Sequence, residues 1–298
     1  MSYAKKSCLA LVLFAVVLLS VFRTSADALT INVTKYELQY FEPIVEKRLT
    51  VYKGVKVYLG GKELSRGGYL INDTTYVPLR AASELIGGSI TYDPKTRTAT
   101  VTARGLSMTV SDGGYIVYAN DRPLASRTPA VILADGSMYI PIRTLAKALG
   151  LSVEWQAPAS VYLSGTVSPL APASSYYDPD ELLWMSRIIN AESRGEPLLG
   201  KIAVGNVVLN RVRHKEYPST VYGVIFDTKY GVQFSPIKDG SIYLPVEYES
   251  TLAAKICLEG FTVSSDILFF LEPSKSVSSW IPNNRRYEFT VKNHYFYS

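Results

Sequence analysis

The chain has 298 residues, a formal net charge of +5, 47% apolar and 19% charged residues, two Cys and two His. That length suits about two domains, and the apolar fraction excludes a largely disordered or collagen-like chain. Two His and two Cys are too few for most all-protein zinc sites, so no metal and no cofactor is expected.

Lys5-Lys6 is followed by an apolar run from Cys8 to Phe22 and then by Arg23-Thr24-Ser25-Ala26-Asp27-Ala28. A basic start, an apolar stretch and a small-x-small end read as a signal peptide over residues 1–28, cleaved after Ala28, with Ala26 as the alternative. An uncleaved anchor is the competing reading, but the run is short for a span of about 20 residues. The protein is therefore expected to be secreted, with no membrane association after cleavage. Cleavage leaves Cys257 as the lone Cys and excludes an intramolecular disulfide. No Gly-rich phosphate loop is present, and no nucleic-acid partner is expected. Residues 29–175 carry a charge of +4 and residues 176–298 a charge of −1. A mildly basic middle would suit an acidic envelope polymer, but a plain solvated surface is the preferred reading.

The middle of the chain repeats itself. Tyr76-Val77-Pro78-Leu79-Arg80 recurs 63 residues later as Tyr139-Ile140-Pro141-Ile142-Arg143, and the offset extends to Gly87/Gly150, Ile90/Val153 and Tyr92/Trp155. Each unit reads as two short strands around a turn (Asn72-Asp73, Asp135-Gly136), a strand ending at the Pro, a helix, and a strand pair. The helices are expected over 79–86 and 142–149, each closed by Gly. Alternation in 55–59 and 98–102 supports strands, and the two units are expected to stack on each other. The pattern resembles the copper amine oxidase N-terminal-like domain, an accessory module of secreted proteins. Residues 29–163 are assigned to it. The resemblance implies attachment to the wall or a spacer role, and no copper, since residues 29–175 contain neither His nor Cys. The segment 164–177, rich in Pro, Ser and Ala, reads as an interdomain linker.

Residues 178–298 carry the chemistry. Asp178-Pro179-Asp180-Glu181 is a helix start, with a capping Asp, Pro in the first turn and acids near the positive end of the dipole. Leu182, Met185, Ile189 and Glu192 then follow at spacings of three, four and three, which places them on one face. Glu192 thus continues an apolar stripe. Desolvation there is expected to raise its pKa and to keep it protonated at neutral pH, as a general acid requires. A Glu turned to solvent or paired with Arg194 is the bland alternative.

Around Glu192 the chain reads Ala191-Glu192-Ser193-Arg194-Gly195-Glu196-Pro197, then Ala203-Val204-Gly205-Asn206-Val207-Val208-Leu209-Asn210-Arg211-Val212, Gln233-Phe234-Ser235-Pro236, Trp280-Ile281 and Asn293-His294-Tyr295. This order closely resembles the SleB/CwlJ-type cell wall hydrolases, which degrade spore cortex peptidoglycan in germination. The resemblance implies an α+β architecture overall, with a lysozyme/lytic-transglycosylase-like domain after the β-rich repeat domain. It implies Glu192 as the catalytic residue and glycan strands of peptidoglycan, in cell wall or spore cortex, as the partner. Ser193, Glu196, Tyr222, Gln233, Ser235, Trp280 and His294 are the substrate-binding candidates. Glu196 has a structural alternative, holding backbone N–H groups or pairing with Arg211, and buried packing is the alternative for Tyr222, Trp280 and His294. One departure stands out: Phe269-Phe270-Leu271-Glu272-Pro273 replaces the family's Y-F-x-N-P, putting Glu272 where an Asn is usual.

Glycosidic cleavage needs a proton donor and a way to trap an oxocarbenium-like centre. Without a second acid, the muramic 6-hydroxyl is the expected trap, as in lytic transglycosylases. Muramidase-type hydrolysis, a peptidoglycan amidase and a non-catalytic wall-binding protein are the alternatives.

Overall fold

The computed structural model describes residues 22–24, 28–32, 48–229, 231–276 and 279–298. The leader expected over residues 1–28 lies, apart from Phe22–Thr24 and Ala28, outside the described residues. The architecture is mixed α+β, a β-rich part followed by a helical part with a small sheet.

The β-rich part begins with short strands β1 (Phe22–Thr24) and β2 (Ala28–Asn32) and the long β3 (Arg48–Leu59). The first repeat follows as β4 (Lys62–Glu63), β5 (Gly68–Ile71), β6 (Thr74–Pro78), helix α1 (Leu79–Leu85) and the pair β7 (Ser89–Asp93) and β8 (Thr98–Ala103). Asn72 and Asp73 take positive φ, 44° and 61°, which suits the tight two-residue turn between β5 and β6. Three strands, β9 (Leu106–Ser111), β10 (Ile116–Ala119) and β11 (Arg122–Ala125), extend β7–β8 into a five-stranded sheet. The second repeat is β12 (Val131–Ile132), β13 (Met138–Pro141), α2 (Ile142–Ala148), β14 (Ser152–Gln156) and β15 (Ser160–Ser164).

The two copies do not stack face on face. They join edge to edge through the Y-x-P strands, with Tyr76 opposite Pro141, Val77 opposite Ile140 and Pro78 opposite Tyr139. Pairing these edges satisfies ladder groups that each copy alone would leave open. Strand β15 then runs parallel to β3, which ties the second copy back to the first. Val55, Val57, Leu79, Ala82, Leu145, Ala146, Val161 and Leu163 share one core.

The segment 164–177 does not hang free. Ser168 and Leu170 donate main-chain N–H bonds to Leu149 and Ala148, and Ala173 to Asn120. The short helix α3 (Ala173–Tyr176) leads into the helical part.

There α4 (Pro179–Ser193) starts with Asp178 accepting from Glu181 N–H at 2.8 Å. The next helix, α5 (Leu198–Arg213), is buried at every position from Leu198 to Arg211, as expected for a helix surrounded by protein. It packs against α4 and α8 (Tyr248–Leu258). Gly205 makes this close approach possible: a Cβ there would meet Cys257 Sγ at 2.7 Å and Ile189 Cδ1 at 2.9 Å. The polar side chains of α5 are ties. Asn206 and Asn210 donate to the carbonyls of Phe261, Ser264 and Ile267. Two short helices, α6 (Val221–Ile225) and α7 (Pro236–Asp239), cross the end of α4, and a 3-10 turn, Ser241–Tyr243, follows. Strand β16 (Phe269–Leu271), helix α9 (Trp280–Asn284), and strands β17 (Tyr287–Val291) and β18 (His294–Tyr297) close the chain as a three-stranded sheet with one short helix.

The two parts meet over a polar seam. Arg122, 4% exposed, forks onto Glu259 through Nε and Nη2 at 2.7 and 2.9 Å. The Tyr177 hydroxyl donates to the same carboxylate at 2.7 Å, and Lys147 approaches it at 3.1 Å. Arg122 also lies over the Tyr176 ring, 3.2 Å from its centre. Burial alone would raise the Glu259 pKa; the Arg122, Tyr177 and Lys147 donors outweigh it and hold the carboxyl below its ordinary value.

Candidate active site

Glu192 lies in the last turn of α4, on the row that carries Trp184 and Ile188 at i−8 and i−4. Ile188 and Ile189 are fully buried and Glu192 is partly covered. Its carboxyl makes no hydrogen bond or ion pair with any described residue. Burial, then the negative charge of Asp239, push its pKa up to about 7, and Arg211 opposes the rise. A carboxyl without donors in apolar surroundings keeps its proton.

Asp239, at the end of α7, is the charge facing Glu192. The side chain and N–H of Ser241 hold it ionised, the N–H at 2.8 Å, and keep its pKa below the ordinary carboxylate value. Burial thus favours the protonated form of Glu192 while the Ser241 donors favour the ionised form of Asp239, so the two carboxyls are pushed in opposite directions.

Arg211, at the end of α5, is 5% exposed, and its positive charge acts on Glu192. Its Nε donates to Leu268 O at 2.8 Å, while Nη1 is buried without a hydrogen-bond partner. The guanidinium lies 5.1 Å from the Tyr217 ring, 5.2 Å from Phe234 and 5.5 Å from Phe269. Phe234 stands between Gln233 and Ser235, so Arg211 anchors that segment beside Glu192. Ser235 is exposed and Gln233 half-buried, its amide donating to Gly231 O at 3.0 Å. Phe269 in turn meets Trp280, at 6.3 Å between ring centres, and Arg285 lies over both rings. Trp280, 51% exposed, therefore belongs to the same neighbourhood.

Tyr222 lies farther off. It stacks on Phe226 at 4.4 Å and meets Trp184 edge-on at 5.4 Å. Trp184 stands two turns before Glu192, about 12 Å along the helix axis.

Three expected substrate contacts are corrected by the structure. Ser193 is 2% exposed and its hydroxyl turns back to Ile189 O at 2.5 Å. Glu196, 6% exposed, accepts from Asn293 through both carboxylate oxygens, at 3.0 and 3.4 Å, not from Arg211. It holds the hairpin before β18 against the start of α5. His294 is 5% exposed among Phe270 and Phe296. Burial pushes its pKa down despite Glu196 and Glu272 nearby. Ser193 closes on its own helix, Glu196 ties α5 to the terminal hairpin and His294 packs in the terminal sheet, and all three side chains are buried. Glu272, the departure from the family string, is paired with Lys275 at 2.7 Å.

Asp239 and the placement of Arg211 beside Glu192 were not expected from the sequence. Asp239-Gly240-Ser241 reads only as a turn, and nothing in its spacing links it to Glu192 47 residues earlier. Cys257 is buried, and burial raises its thiol pKa, so it is poorly suited to act as a nucleophile. Among the described residues no group of three His, Cys, Asp or Glu is placed to hold a metal, and no helix is long and apolar enough to cross a membrane.

Comparison with known proteins adds the family context. Residues 195–297 match the family described as Cell Wall Hydrolase, and residues 58–163 match the Copper amine oxidase N-terminal domain. Glu192 lies three residues before the first match. The second name refers to copper, but residues 58–163 hold no His and no Cys, the donors such a site would draw on. The spore cortex-lytic enzyme of Bacillus cereus is 35% identical over 105 residues, 35% of this chain and 39% of that protein. That of Oceanobacillus iheyensis is 32% identical over 117 residues, 39% of this chain and 41% of that protein. The chain thus spans about two-fifths of the length of these curated relatives. The catalytic domain of a germination-specific lytic transglycosylase, SleB, from Bacillus anthracis is 32% identical, covering 42% of this chain and 98% of that one, with a TM-score of 0.38. The chain carries a cell wall hydrolase domain at its C-terminal end, preceded by a copper amine oxidase N-terminal-like domain.

Proposed function

We propose that this protein cleaves the glycan strand of peptidoglycan, in cell wall or spore cortex, as a lytic transglycosylase with Glu192 as acid and then base. The observation that carries the reading is a donor-free carboxyl on α4 with a pKa of about 7, facing the ionised Asp239.

Glu192 gives its proton to the glycosidic oxygen as the bond from the muramic C1 to that oxygen breaks. Positive charge develops at C1 and the ring oxygen, and the exposed Asp239 acts chiefly by raising the Glu192 pKa, its own charge being screened by solvent. The muramic 6-hydroxyl forms the new bond to C1, and its proton returns to Glu192. No water is consumed, and the product carries a 1,6-anhydro ring. Arg211 limits the cost of the carboxylate that Glu192 becomes between the two steps. Gln233, Ser235 and Trp280 are the side chains we assign to the sugar, with Tyr222 at a distance of about two helical turns.

A second reading rests on Asp239. A carboxylate opposite the acid is also what muramidase-type hydrolysis requires. Mass spectrometry of digested glycan separates the two: 1,6-anhydromuramic ends support transglycosylation, and reducing muramic ends support hydrolysis. Clearing of purified cortex by the wild type but not by Glu192→Gln supports either glycosidase. Equal clearing by both, or loss of clearing on adding a chelator, contradicts it. Export through the leader at 1–28 and action outside the cytoplasm complete the proposal.

A further inference from the structure

A hollow of about 390 Å³ lies away from Glu192, between the repeat domain and the hydrolase domain. One wall is Leu124 to Arg127 with Arg143, Thr144 and Lys147; the other is Glu259 to Thr262. Its charge is unbalanced. Glu259 is the acid among these residues, and it is already engaged by Arg122, Tyr177 and Lys147. Arg127 spends its Nη2 on the carbonyls of Thr262 and Val263, which orients the guanidinium but leaves its charge unpaired. Arg143 is exposed and makes no hydrogen bond or ion pair with any described residue. The Thr262 hydroxyl is buried with no hydrogen-bond partner. Two guanidinium groups whose charge no carboxylate neutralises, around one hollow, form a recognition set for an oxyanion, since guanidinium matches carboxylate and phosphate geometry.

Arg143 is the Arg of the second Y-x-P-x-R element. Pro141 is the residue just before α2 and Arg143 sits in its first turn, so the repeat itself places the cation at the seam. Resting on the proposed function, we infer that this interdomain hollow binds a carboxylate of a peptidoglycan stem peptide. A polymer held there and at Glu192 would be gripped by both domains of one molecule. The choice of carboxylate over phosphate follows from the proposed substrate, whose stem peptides end in carboxylates.

The test measures retention of the full-length chain on insoluble polymer, with Glu192→Gln as the background so that nothing is digested. The polymers are intact peptidoglycan freed of teichoic acid, the same material with its stem-peptide carboxyls converted to amides by carbodiimide coupling, and teichoic acid on beads. In the parent, intact peptidoglycan should bind about five- to tenfold more tightly than the amidated form, the scale of one hydrogen bond. Adding Arg143→Gln should abolish that difference, and because Arg143 has no partner to lose, the melting temperature should stay put. Retention on intact peptidoglycan unaffected by Arg143→Gln would overturn the inference. So would an Arg143-dependent retention on teichoic acid alone, which assigns the hollow to phosphate. Clearing by the chain with Glu192 restored is scored separately: a chain that binds through Arg143 but never clears refutes the proposed activity and not the hollow.

Discussion

Two carboxyls, one in the seam between the domains and one at the end of α4, show how little burial decides by itself. Glu259 is 6% exposed, yet Arg122, Tyr177 and Lys147 donors keep it ionised. Glu192 is less completely covered, yet without a donor, and beside Asp239, it holds its proton to about pH 7. The supply of donors, not the depth, separates a structural anion from an acid. Moreover, the chain places its donors where domains must be joined and withholds them at the end of α4.

The largest effect is expected at Glu192. Glu192→Gln keeps shape but cannot transfer a proton, and clearing of cortex should fall about 10²–10⁴-fold with circular dichroism unchanged. The corresponding break in the seam is Arg122→Ala. It strands Glu259 without its main partner, and thermal or denaturant unfolding should show a loss of about 3–5 kcal/mol, while the fraction of chain that remains folded still clears cortex.

Titration sharpens the contrast, because the two groups have opposite signs. Glu259 has a lowered pKa in the folded state, so its contribution is present above the unfolded carboxyl pKa and lost as pH falls through the folded value. Glu192 has a raised one, so its contribution is complete below the unfolded pKa and lost as pH rises towards about 7. Wild type minus Glu192→Gln should therefore become less favourable between about pH 4.5 and 7, by about 1–2 kcal/mol given the partial exposure. Denaturant titrations across that window measure it. The smallest effect is expected from Asp239→Asn. Removing the facing charge lowers the Glu192 pKa, so the alkaline limb of the pH–rate profile should move to lower pH, with the fold intact because Asp239 is exposed.

Much of the repeat was legible because its signals are local. The Y-x-P-x-R strings ended strands and began α1 and α2 within one residue of the expected bounds, with Gly87 and Gly150 at positive φ just beyond. The way the copies join was not legible, since edge pairing and face stacking require the same apolar residues. In the hydrolase domain, the 3–4 spacing put Glu192 on the Met185–Ile189 stripe, and the Asp178 cap marked the helix start. Sequence could not show that Ser193, Glu196 and His294 turn inward. Several of their chain neighbours, such as Arg194 and Asn293, are polar and exposed, and the groups that cover them come from Ile189, Asn293 and Phe270. Asp239 escaped for the same reason: its importance arises only when α7 crosses the end of α4.

The account stands on the protonation state of one side chain. Carbon-13 NMR of glutamate-labelled protein, with the Glu192→Gln spectrum subtracted to isolate its carboxyl resonance, follows that state directly. A single titration with its midpoint near pH 7, moved to lower pH by Asp239→Asn, is the predicted result. A midpoint at about 4.3, the value of a free Glu, would contradict the account.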